Sequence, residues 1–405
     1  MTVKNGQLPK GWREAQLGEF MEFKNGLNTR KENYGSGVKF VNVMDVFSHN
    51  YLYADDVIGS VQVTKKQLVD YSVKYGDVLF NRTSETFEEI AMSSVYLDKK
   101  EIIFGGFVIR GRQKSNILVP EYSAYCFQTH TVRRELIRRG QGAVRVNIGQ
   151  KDLSKIPIVI PPVNEQKAIA SLLEKWDTVI ERTEALIEAK EKRFKWLLKT
   201  LISDQQDNPE WRKVKLGDVF GKQLVIEKGK MLTLKQVIPG DFPVIASGQN
   251  YASFHNDYTH NTKTITISGS GAYAGFIWFH DYPIFATDCN VITAVSGIME
   301  YFYYAIKIHQ NRLYSLQSGG AQPHIYAKDI AVLDIVIPSI KEQKSIAYQL
   351  DTAQREIDLL KQLAEQYHTH KRGLMQKLLT GKWRINPNTK AEDVNFIKKG
   401  ATSLK

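Results

Sequence analysis

The 405-residue sequence has only two cysteines, no apolar run of about 18 residues, and no signal-peptide core at its start. Cys126 and Cys289 stand alone, so they supply neither a disulfide framework nor the paired spacing of a zinc site. Because a helix needs roughly 20 mostly apolar residues to cross a membrane, we expect no membrane partner. The sequence therefore predicts a cytoplasmic protein whose two cysteines lie in its core.

Motifs that would mark an enzyme are also missing. The only Pro-Pro pair lies in the sequence IPPV, which excludes the Asn- or Asp-Pro-Pro-aromatic loop of an adenine methyltransferase. No Gly-x-x-x-x-Gly-Lys-Ser/Thr sequence occurs, so a P-loop ATPase is excluded. Residues 269–274 have the shape of a dinucleotide fingerprint, but strand-like sequence follows where that site requires a helix. We predict no catalytic residue, no metal ligand and no cofactor in this chain.

One 13-residue stretch occurs twice. Residues 158–170 read IVIPPVNEQKAIA, and residues 335–347, 177 positions later, read IVIPSIKEQKSIA. Behind each copy, apolar residues step alternately by four and three, which is the period of a left-handed coiled coil. The alternative is a pair of amphipathic helices in a globular core. The predicted seam comprises Ile169, Leu173, Trp176, Ile180, Ile187, Phe194, Leu197 and Leu201, and then Ile346, Leu350, Ile357, Leu360, Tyr367, Leu374 and Leu378.

The limits of both helices can be predicted. Ser339 followed by Glu342 fits a capping box at the start of the second helix, and Gly381 suits its end. Each helix of about 40 residues would be roughly 60 Å long. A compact domain between them would be only about 35 to 40 Å across, so the helices must run antiparallel to be joined by it. We expect a dumbbell with pseudo-two-fold symmetry.

The predicted boundaries are a domain at 1–163, a helix at 164–203, a domain at 204–340, a helix at 341–381 and a polar basic tail at 382–405. Both domains are expected to be α+β. Predicted strands are 38–46, 77–80 and 102–109 in the first domain and 264–267, 275–279 and 291–294 in the second. Predicted helices are 129–139 and 298–310, each followed by a glycine-containing loop.

The net charge of +12 predicts a polyanionic partner. The excess of Lys and Arg lies in residues 1–163 and in the tail, whereas residues 204–340 are nearly balanced. If the second domain binds nucleic acid, it must therefore do so through a local patch.

Three motifs together resemble those of a known family. Trp-Arg-x-x-x-Leu-Gly starts at Trp12 and again at Trp211, Ile-Pro-x-x-x-Glu-Gln-Lys precedes both helices, and GLMQKLLTGK closes the second helix at 373–382. Over nearly its whole length the chain resembles the specificity subunit of Type I restriction-modification enzymes. The resemblance implies two pseudo-symmetric target-recognition domains separated by an antiparallel coiled coil of two long helices.

The same resemblance implies a function and partners. Each domain would read one half of a bipartite target in double-stranded DNA, while the helices would set the gap and dock two modification (methyltransferase) subunits. Two restriction subunits could join them, and S-adenosylmethionine, ATP and Mg²⁺ would be held by partner subunits. The alternatives are a self-contained DNA methyltransferase or nuclease and a coiled-coil scaffold that meets no DNA.

Candidate DNA-binding residues follow from side-chain chemistry, since phosphates attract cations and base edges suit forked polar groups. For any one of them, a solvent-facing or turn role is the alternative. The candidates are Asn81, Arg82, Thr83, Arg110, Arg112, Arg145 and Asn147 in the first domain and Ser247, Gln249, Lys263, Ser268, Ser270, Gln322 and His324 in the second.

Overall fold

The computed structural model describes residues 8–385, so most of the predicted tail lies outside the described residues. The chain divides into two compact units. The first comprises the residues up to Arg182 together with those from Ala364 onward, and the second is Thr183–Leu363. Both units mix helices with strands, which confirms the predicted α+β class. The long helices pass from one unit to the other, because each unit includes part of each helix.

The described part of the first unit contains thirteen short strands and six short α-helices. The strands are β1 (Arg13–Gln16), β2 (Met21–Asn25), β3 (Tyr34–Val41), β4 (Tyr51–Leu52), β5 (Ser60–Val61), β6 (Ser72–Val73), β7 (Val78–Asn81), β8 (Thr83–Ser84), β9 (Ser93–Tyr96), β10 (Ile102–Phe104), β11 (Val108–Gln113), β12 (Val146–Asn147) and β13 (Pro157–Ile160). The helices are α1 (Leu17–Phe20), α2 (Val43–Ser48), α3 (Lys65–Asp70), α4 (Pro120–Cys126), α5 (His130–Arg139) and α6 (Gln150–Ser154), and α7 (Val163–Leu201) follows.

The second unit is smaller. Its strands are β14 (Arg212–Lys215), β15 (Leu224–Lys228), β16 (Phe242–Ile245), β17 (Ser253–His255), β18 (Thr264–Ser268), β19 (Ile277–His280), β20 (Phe285–Ala286), β21 (Cys289–Ala294) and β22 (Asp334–Ile337). Its helices are α8 (Met299–Lys307), α9 (Gln310–Ser315) and α10 (Ala327–Ala331), and α11 (Ile340–Leu378) follows.

Each unit has two main sheets of corresponding order. In the first unit they are β2-β11-β7-β9-β4 and β5-β3-β10-β6, and in the second they are β15-β21-β18-β19 and β17-β16-β20. Strand β10 runs parallel to β3, and β20 runs parallel to β16 in the same way. A separate antiparallel pair closes each unit: β1 with β13, where Arg13 faces Ile160, and β14 with β22, where Arg212 faces Ile337. The repeated sequence motifs thus form the same arrangement of strands in both units.

Two strand predictions are wrong in part. The stretch predicted as a strand at 38–46 ends at Val41, because Asn42 caps α2 and its N–H donates to the Asp45 carboxylate at 2.7 Å. The stretch predicted at 102–109 breaks into β10 and β11 at Gly105 and Gly106. A Cβ on Gly106 would lie 1.9 Å from Asn28 Oδ1, so the break brings the backbone close to a neighbouring loop.

The two long helices begin and end near the predicted residues, and each has 39 residues. Ser339 caps α11, since its N–H and hydroxyl both donate to the Glu342 carboxylate at 3.0 and 2.7 Å. Beyond the other end, Gly381 adopts a φ of +70°, which favours glycine. No predicted seam position is exposed, whereas most positions between them are.

Within each unit the segments of α7 and α11 run antiparallel. In the first unit, Trp176 packs edge-on against Tyr367, and Asp177 forms an ion pair with Lys371. The buried Glu165 carboxylate, farther back along α7, accepts hydrogen bonds from Arg384 at 2.7 and 2.9 Å and from the Trp12 indole at 3.0 Å.

In the second unit, Lys190 pairs with Glu356 and Glu191 with Lys361, at 2.5 and 2.6 Å. Farther along α7, Leu201 packs against a core that includes Leu350. Over the length of this segment, residues with higher numbers on α7 therefore lie beside residues with lower numbers on α11. The two helices are antiparallel here, as they are in the first unit.

Two lysines that form ion pairs between α7 and α11, Lys371 and Lys190, offer a matched test of burial. The Lys371 and Asp177 side chains are only 12% and 20% exposed, whereas Lys190 and Glu356 are 25% and 47% exposed. We expect Lys371→Ala to lower the free energy of unfolding of the first unit by roughly 3 kcal/mol, because Asp177 keeps a poorly solvated charge. Lys190→Ala should cost the second unit less than about 1 kcal/mol. Urea unfolding followed by hydrogen exchange measures the change in unfolding free energy for both variants. Equal decreases would contradict the view that burial makes the Lys371–Asp177 pair the stronger one.

A buried histidine makes the second unit sensitive to acid. The two ring nitrogens of His280 contact Thr266 Oγ1 at 2.8 Å and the Tyr282 hydroxyl at 3.2 Å, and burial lowers the pKa of His280 to about 3. The unfolded chain binds this proton near pH 6.5, so stability falls as the pH drops below that value. Burial also lowers the pKa of His309, which acts in the same direction.

We expect the second unit to lose about 2 kcal/mol from His280 between pH 7 and pH 5, at about 1.4 kcal/mol for each pKa unit. Thermal unfolding of wild-type and His280→Gln protein at several pH values tests this. The variant should be less stable at pH 7 but should show a flatter pH dependence. An unchanged slope would show that another group is responsible.

Candidate nucleic-acid interface

One loop has the same backbone hydrogen bonds in both units. Gln141 and Asn147 exchange N–H···O bonds of 2.9 and 2.8 Å, and Ser318 and His324, both 177 positions later, exchange bonds of 3.1 and 2.8 Å. The loop therefore holds the predicted residues Arg145, Asn147, Gln322 and His324 in equivalent places.

Glycine is required at the second residue of this loop. Gly142 and Gly319 have φ values of +126° and +102°. A Cβ on Gly142 would lie 2.1 Å from the Arg145 carbonyl oxygen, so no side chain fits. The tight turn leaves Arg145 exposed in one unit and Gln322 exposed in the other.

The end of this loop pairs with the end of a central strand. In the first unit Thr83 faces Asn147, and the Thr83 hydroxyl donates to Asn147 Oδ1 at 2.8 Å. The Ile148 N–H donates to the Arg82 carbonyl at 3.0 Å. The structure thus brings together Arg82, Thr83 and the loop that carries Arg145.

The second unit repeats the arrangement with other side chains. Ser270 pairs with His324, and the Ile325 N–H donates to the Gly269 carbonyl at 3.0 Å. Gly269 therefore takes the place of Arg82, and Ser270 that of Thr83. The second unit has no cation at this point, in agreement with its nearly balanced charge.

A third segment that sequence reasoning missed contacts the same strand end. The Arg82 N–H donates to the Phe107 carbonyl at 2.8 Å, and the Gly269 N–H donates to the Asp288 carbonyl at 3.1 Å. The Phe107 side chain is 62% exposed, and Asp288 is also exposed. Phe107 and Asp288 hence occupy equivalent positions just before β11 and β21.

A fourth segment follows the edge strands β2 and β15. The Gly26 N–H donates to the Val108 carbonyl at 3.1 Å, and the Gly229 N–H donates to the Cys289 carbonyl at 2.9 Å. These loops carry Arg30 and Lys31 in the first unit and Lys230 in the second. A glycine followed by basic residues at a strand end is the sequence signal for this segment.

Three polar side chains of the second unit form a cluster. The Ser247 and Ser270 hydroxyls both donate to Asp288 Oδ2 at 2.5 Å, and the two hydroxyls lie 3.2 Å apart. Ser247 reaches this cluster because the Thr287 N–H donates to the Ile245 carbonyl, which joins the ends of β16 and β20. Gln249 lies two residues beyond Ser247 and is exposed.

Four of the predicted DNA-binding residues lie outside the candidate interface, because their side chains point into the protein. Asn81 and Ser268 are buried within β7 and β18. Arg110 donates to the Ser72 carbonyl at 2.6 Å, and Arg112 donates to the Asp77 carboxylate at 2.8 and 2.6 Å. Alternate residues of a strand share one face, so both arginines meet the buried Asp77, and desolvation lowers the pKa of Arg110.

The prediction that Lys263 binds DNA also needs correction. It is exposed but pairs with Glu300 at the first turn of α8. It precedes β18, whereas Ser270 follows the other end of the strand, roughly 15 Å away at about 3.3 Å per residue. Lys263 therefore lies outside the candidate interface.

The chemistry of the remaining residues differs between the units. In the first unit Arg30, Arg82 and Arg145 offer cations for phosphates, and Asn147 offers an amide. In the second, Ser270, Asp288 and Gln322 offer hydroxyl, carboxylate and amide groups, which suit base edges. Equivalent backbone positions with unlike side chains would read unlike sequences.

The residues that have the shape of a dinucleotide fingerprint do not precede a helix. Strands β18 and β19 pair directly, Ile267 with Ile277, so residues 269–274 form a turn and no helix begins there. Among residues 8–385, no three His, Cys, Asp or Glu side chains are grouped to hold a metal ion. Within the same range, no helix is sufficiently long and apolar to cross a membrane. Cys126 and Cys289 are free and buried, as predicted.

Comparison with known proteins points to one family. The sequence profile of the "Type I restriction modification DNA specificity domain" matches residues 9–191 and 208–367. The type I restriction enzyme MjaVIII specificity subunit of Methanocaldococcus jannaschii is 22% identical over 428 residues, which cover 94% of each chain. The StySPI specificity subunit of Salmonella potsdam is 22% identical over 437 residues, covering 98% of this chain and 94% of that one.

A solved structure has the same fold. The type I restriction-modification S subunit of Mycoplasma genitalium superimposes with a TM-score of 0.64 at 18% identity, covering 92% of this chain and 97% of that one.

Proposed function

The chain belongs to the type I restriction-modification DNA specificity family, as a specificity subunit with two specificity domains, and we propose that each unit reads one half of a bipartite target in double-stranded DNA. The observation that carries this proposal is the repeated strand-end arrangement. Four equivalent segments converge in each unit, yet their side chains differ at Arg82 and Gly269 and at Phe107 and Asp288. The same backbone arrangement thus presents different side chains to DNA in the two units.

We propose that the long helices set the gap between the half-sites and dock two methyltransferase subunits. Large apolar side chains outside the seam support this role: Trp196 on α7 is 59% exposed, and Tyr348 on α11 is 73% exposed. Covering such a side chain with a partner would remove apolar area from water, which favours association. Two restriction subunits would join the same complex.

The chemistry would belong to the partners. S-adenosylmethionine, ATP and Mg²⁺ would be held by the modification and restriction subunits, and this chain would supply sequence choice and assembly. We place the complex in the cytoplasm, because its substrate is double-stranded DNA and both cysteines are free thiols.

A protection experiment tests the function. The purified chain is mixed with labelled duplexes, with and without its modification subunits, and methylated adenines are mapped in the host genome. We expect sequence-dependent protection only in the mixture and a methylated sequence of two short blocks with an unread gap. Methyl transfer by this chain alone would support the enzyme alternative, and absence of any DNA effect in the mixture would support the scaffold alternative.

A further inference from the structure

We infer that Asp288 is a base-reading residue of the second unit and accepts a hydrogen bond from the exocyclic amino group of an adenine or a cytosine in the major groove. The inference rests on the proposed function and adds to it a specific chemical choice at one position. It comes from the position, support and charge of a single carboxylate.

The carboxylate is held in place from one side only. The Ser247 and Ser270 hydroxyls both donate to Oδ2, and no described residue of this chain donates to Oδ1. Asp288 has a φ of +45°, a conformation that is uncommon for residues other than glycine. The two hydroxyl donors restrain Oδ2 and leave Oδ1 as an acceptor to which no described residue donates.

The charge decides what this oxygen can contact. A carboxylate is repelled by DNA phosphates, so at a DNA-facing edge it has no role in backbone binding. In the major groove, adenine N6 and cytosine N4 are the donors, whereas guanine N7 and O6 and thymine O4 are acceptors. An acceptor-only group such as Asp288 therefore selects an amino group.

The equivalent position of the first unit supports a reading role. Phe107 has the same backbone relation to Arg82 that Asp288 has to Gly269, and it projects an exposed ring in place of a carboxylate. A ring suits the thymine methyl group and a carboxylate suits an amino group. Phe107 and Asp288 contact Arg82 and Gly269 through their backbone carbonyls, so that shared backbone contact requires neither an aromatic ring nor a carboxylate.

The test uses the full chain assembled with its modification subunits and maps the methylated sites of wild type, Asp288→Ala and Asp241→Ala. Alanine removes both side-chain oxygens, whereas asparagine would keep an acceptor. Asp241 is an exposed control that precedes β16, whereas Ser247 follows the other end of that strand. We expect Asp288→Ala to reduce discrimination at one base pair by about 5- to 150-fold. That base pair must lie in the half-site of the second unit. The other half-site and the Asp241→Ala pattern should be unchanged.

Base analogues identify the contacted group. In a binding assay, the adenine or cytosine at that position is replaced by purine or 2-pyrimidinone, which lack the amino group. Wild-type affinity should fall by a similar factor, whereas the affinity of Asp288→Ala should change little, because the variant has no side-chain acceptor and the interaction is already lost. Equal losses in both proteins would overturn the inference.

A purely structural role gives a different outcome. If the carboxylate only joins the two serines, Asp288→Ala lowers the melting temperature and leaves the methylated sequence unchanged, which overturns the inference. Ser270→Ala keeps the carboxylate but removes one support, and it should weaken discrimination at the same base pair even if Asp288→Ala fails to fold. A wild-type complex without a bipartite pattern would refute the proposed function itself, whereas an intact pattern in both variants would refute only this inference.

Discussion

Replacing Gln166 by alanine is expected to lower the free energy of unfolding of the first unit by roughly 3 to 5 kcal/mol. The fully buried Gln166 amide accepts from the Val119 N–H at 2.8 Å and donates to the Ile117 and Pro161 carbonyls at 3.0 and 2.9 Å. Its removal leaves buried backbone groups without partners and a cavity beside the first turn of α7.

The second copy of the motif provides a matched variant. Gln343 accepts from the Ile298 N–H at 3.2 Å and donates to the Pro338 carbonyl at 3.0 Å, so Gln343→Ala should cost the second unit roughly 2 to 4 kcal/mol. Gln362→Ala, at an exposed position of α11, should change stability by less than about 0.5 kcal/mol. Hydrogen exchange under native conditions assigns each loss to its unit. If Gln166→Ala reduced protection in the second unit, or Gln343→Ala in the first, these glutamines would not stabilise the units that they contact.

Exchanging residues 210–338 for the matching segment of a relative is expected to replace one half-site completely and leave the other intact. The junctions are suited to this exchange because Arg212 and Ile337 face each other in the β14–β22 pair, so both cuts lie at one place in the frame. The new segment would bring its own residues at the positions of Ser247, Ser270 and Asp288.

Mapping methylated adenines for the parent and the chimera measures the outcome. An exchange of the same residues with this protein's own sequence recoded at the DNA level serves as the control. If both half-sites changed, the two units would not read DNA independently, and the modular interpretation would fail.

The repeated frame and the long helices were predictable from sequence because their signals are local. The period of four and three residues fixes which face of a helix is buried, and Ser339 with Glu342 fixes where α11 begins. The strand break at Gly105 and Gly106 was not predictable, since it depends on the close approach of Asn28 from a distant part of the chain.

The candidate interface was predicted only in part for a similar reason. Side-chain type identified Arg82, Thr83 and Asn147, which do meet in the structure. The same criterion also selected Arg110 and Arg112, whose inward direction depends on strand register and on the buried partner Asp77. Asp288 was missed because its position is set by a backbone contact to Gly269, which lies 19 positions earlier in the chain.

The discontinuous first unit has a consequence for synthesis on the ribosome. Its core includes Met375, Leu378 and Leu379, and Arg384 bonds to Glu165, so the unit that starts first cannot be completed until the last part of α11 has emerged. The second unit is continuous from Thr183 to Leu363 and can close earlier. During translation the amino-terminal half must therefore keep apolar surface exposed until α11 is complete. A nascent chain that stalls before residue 364 would release a product with one folded unit and one incomplete unit, and such a product is a natural substrate for chaperones.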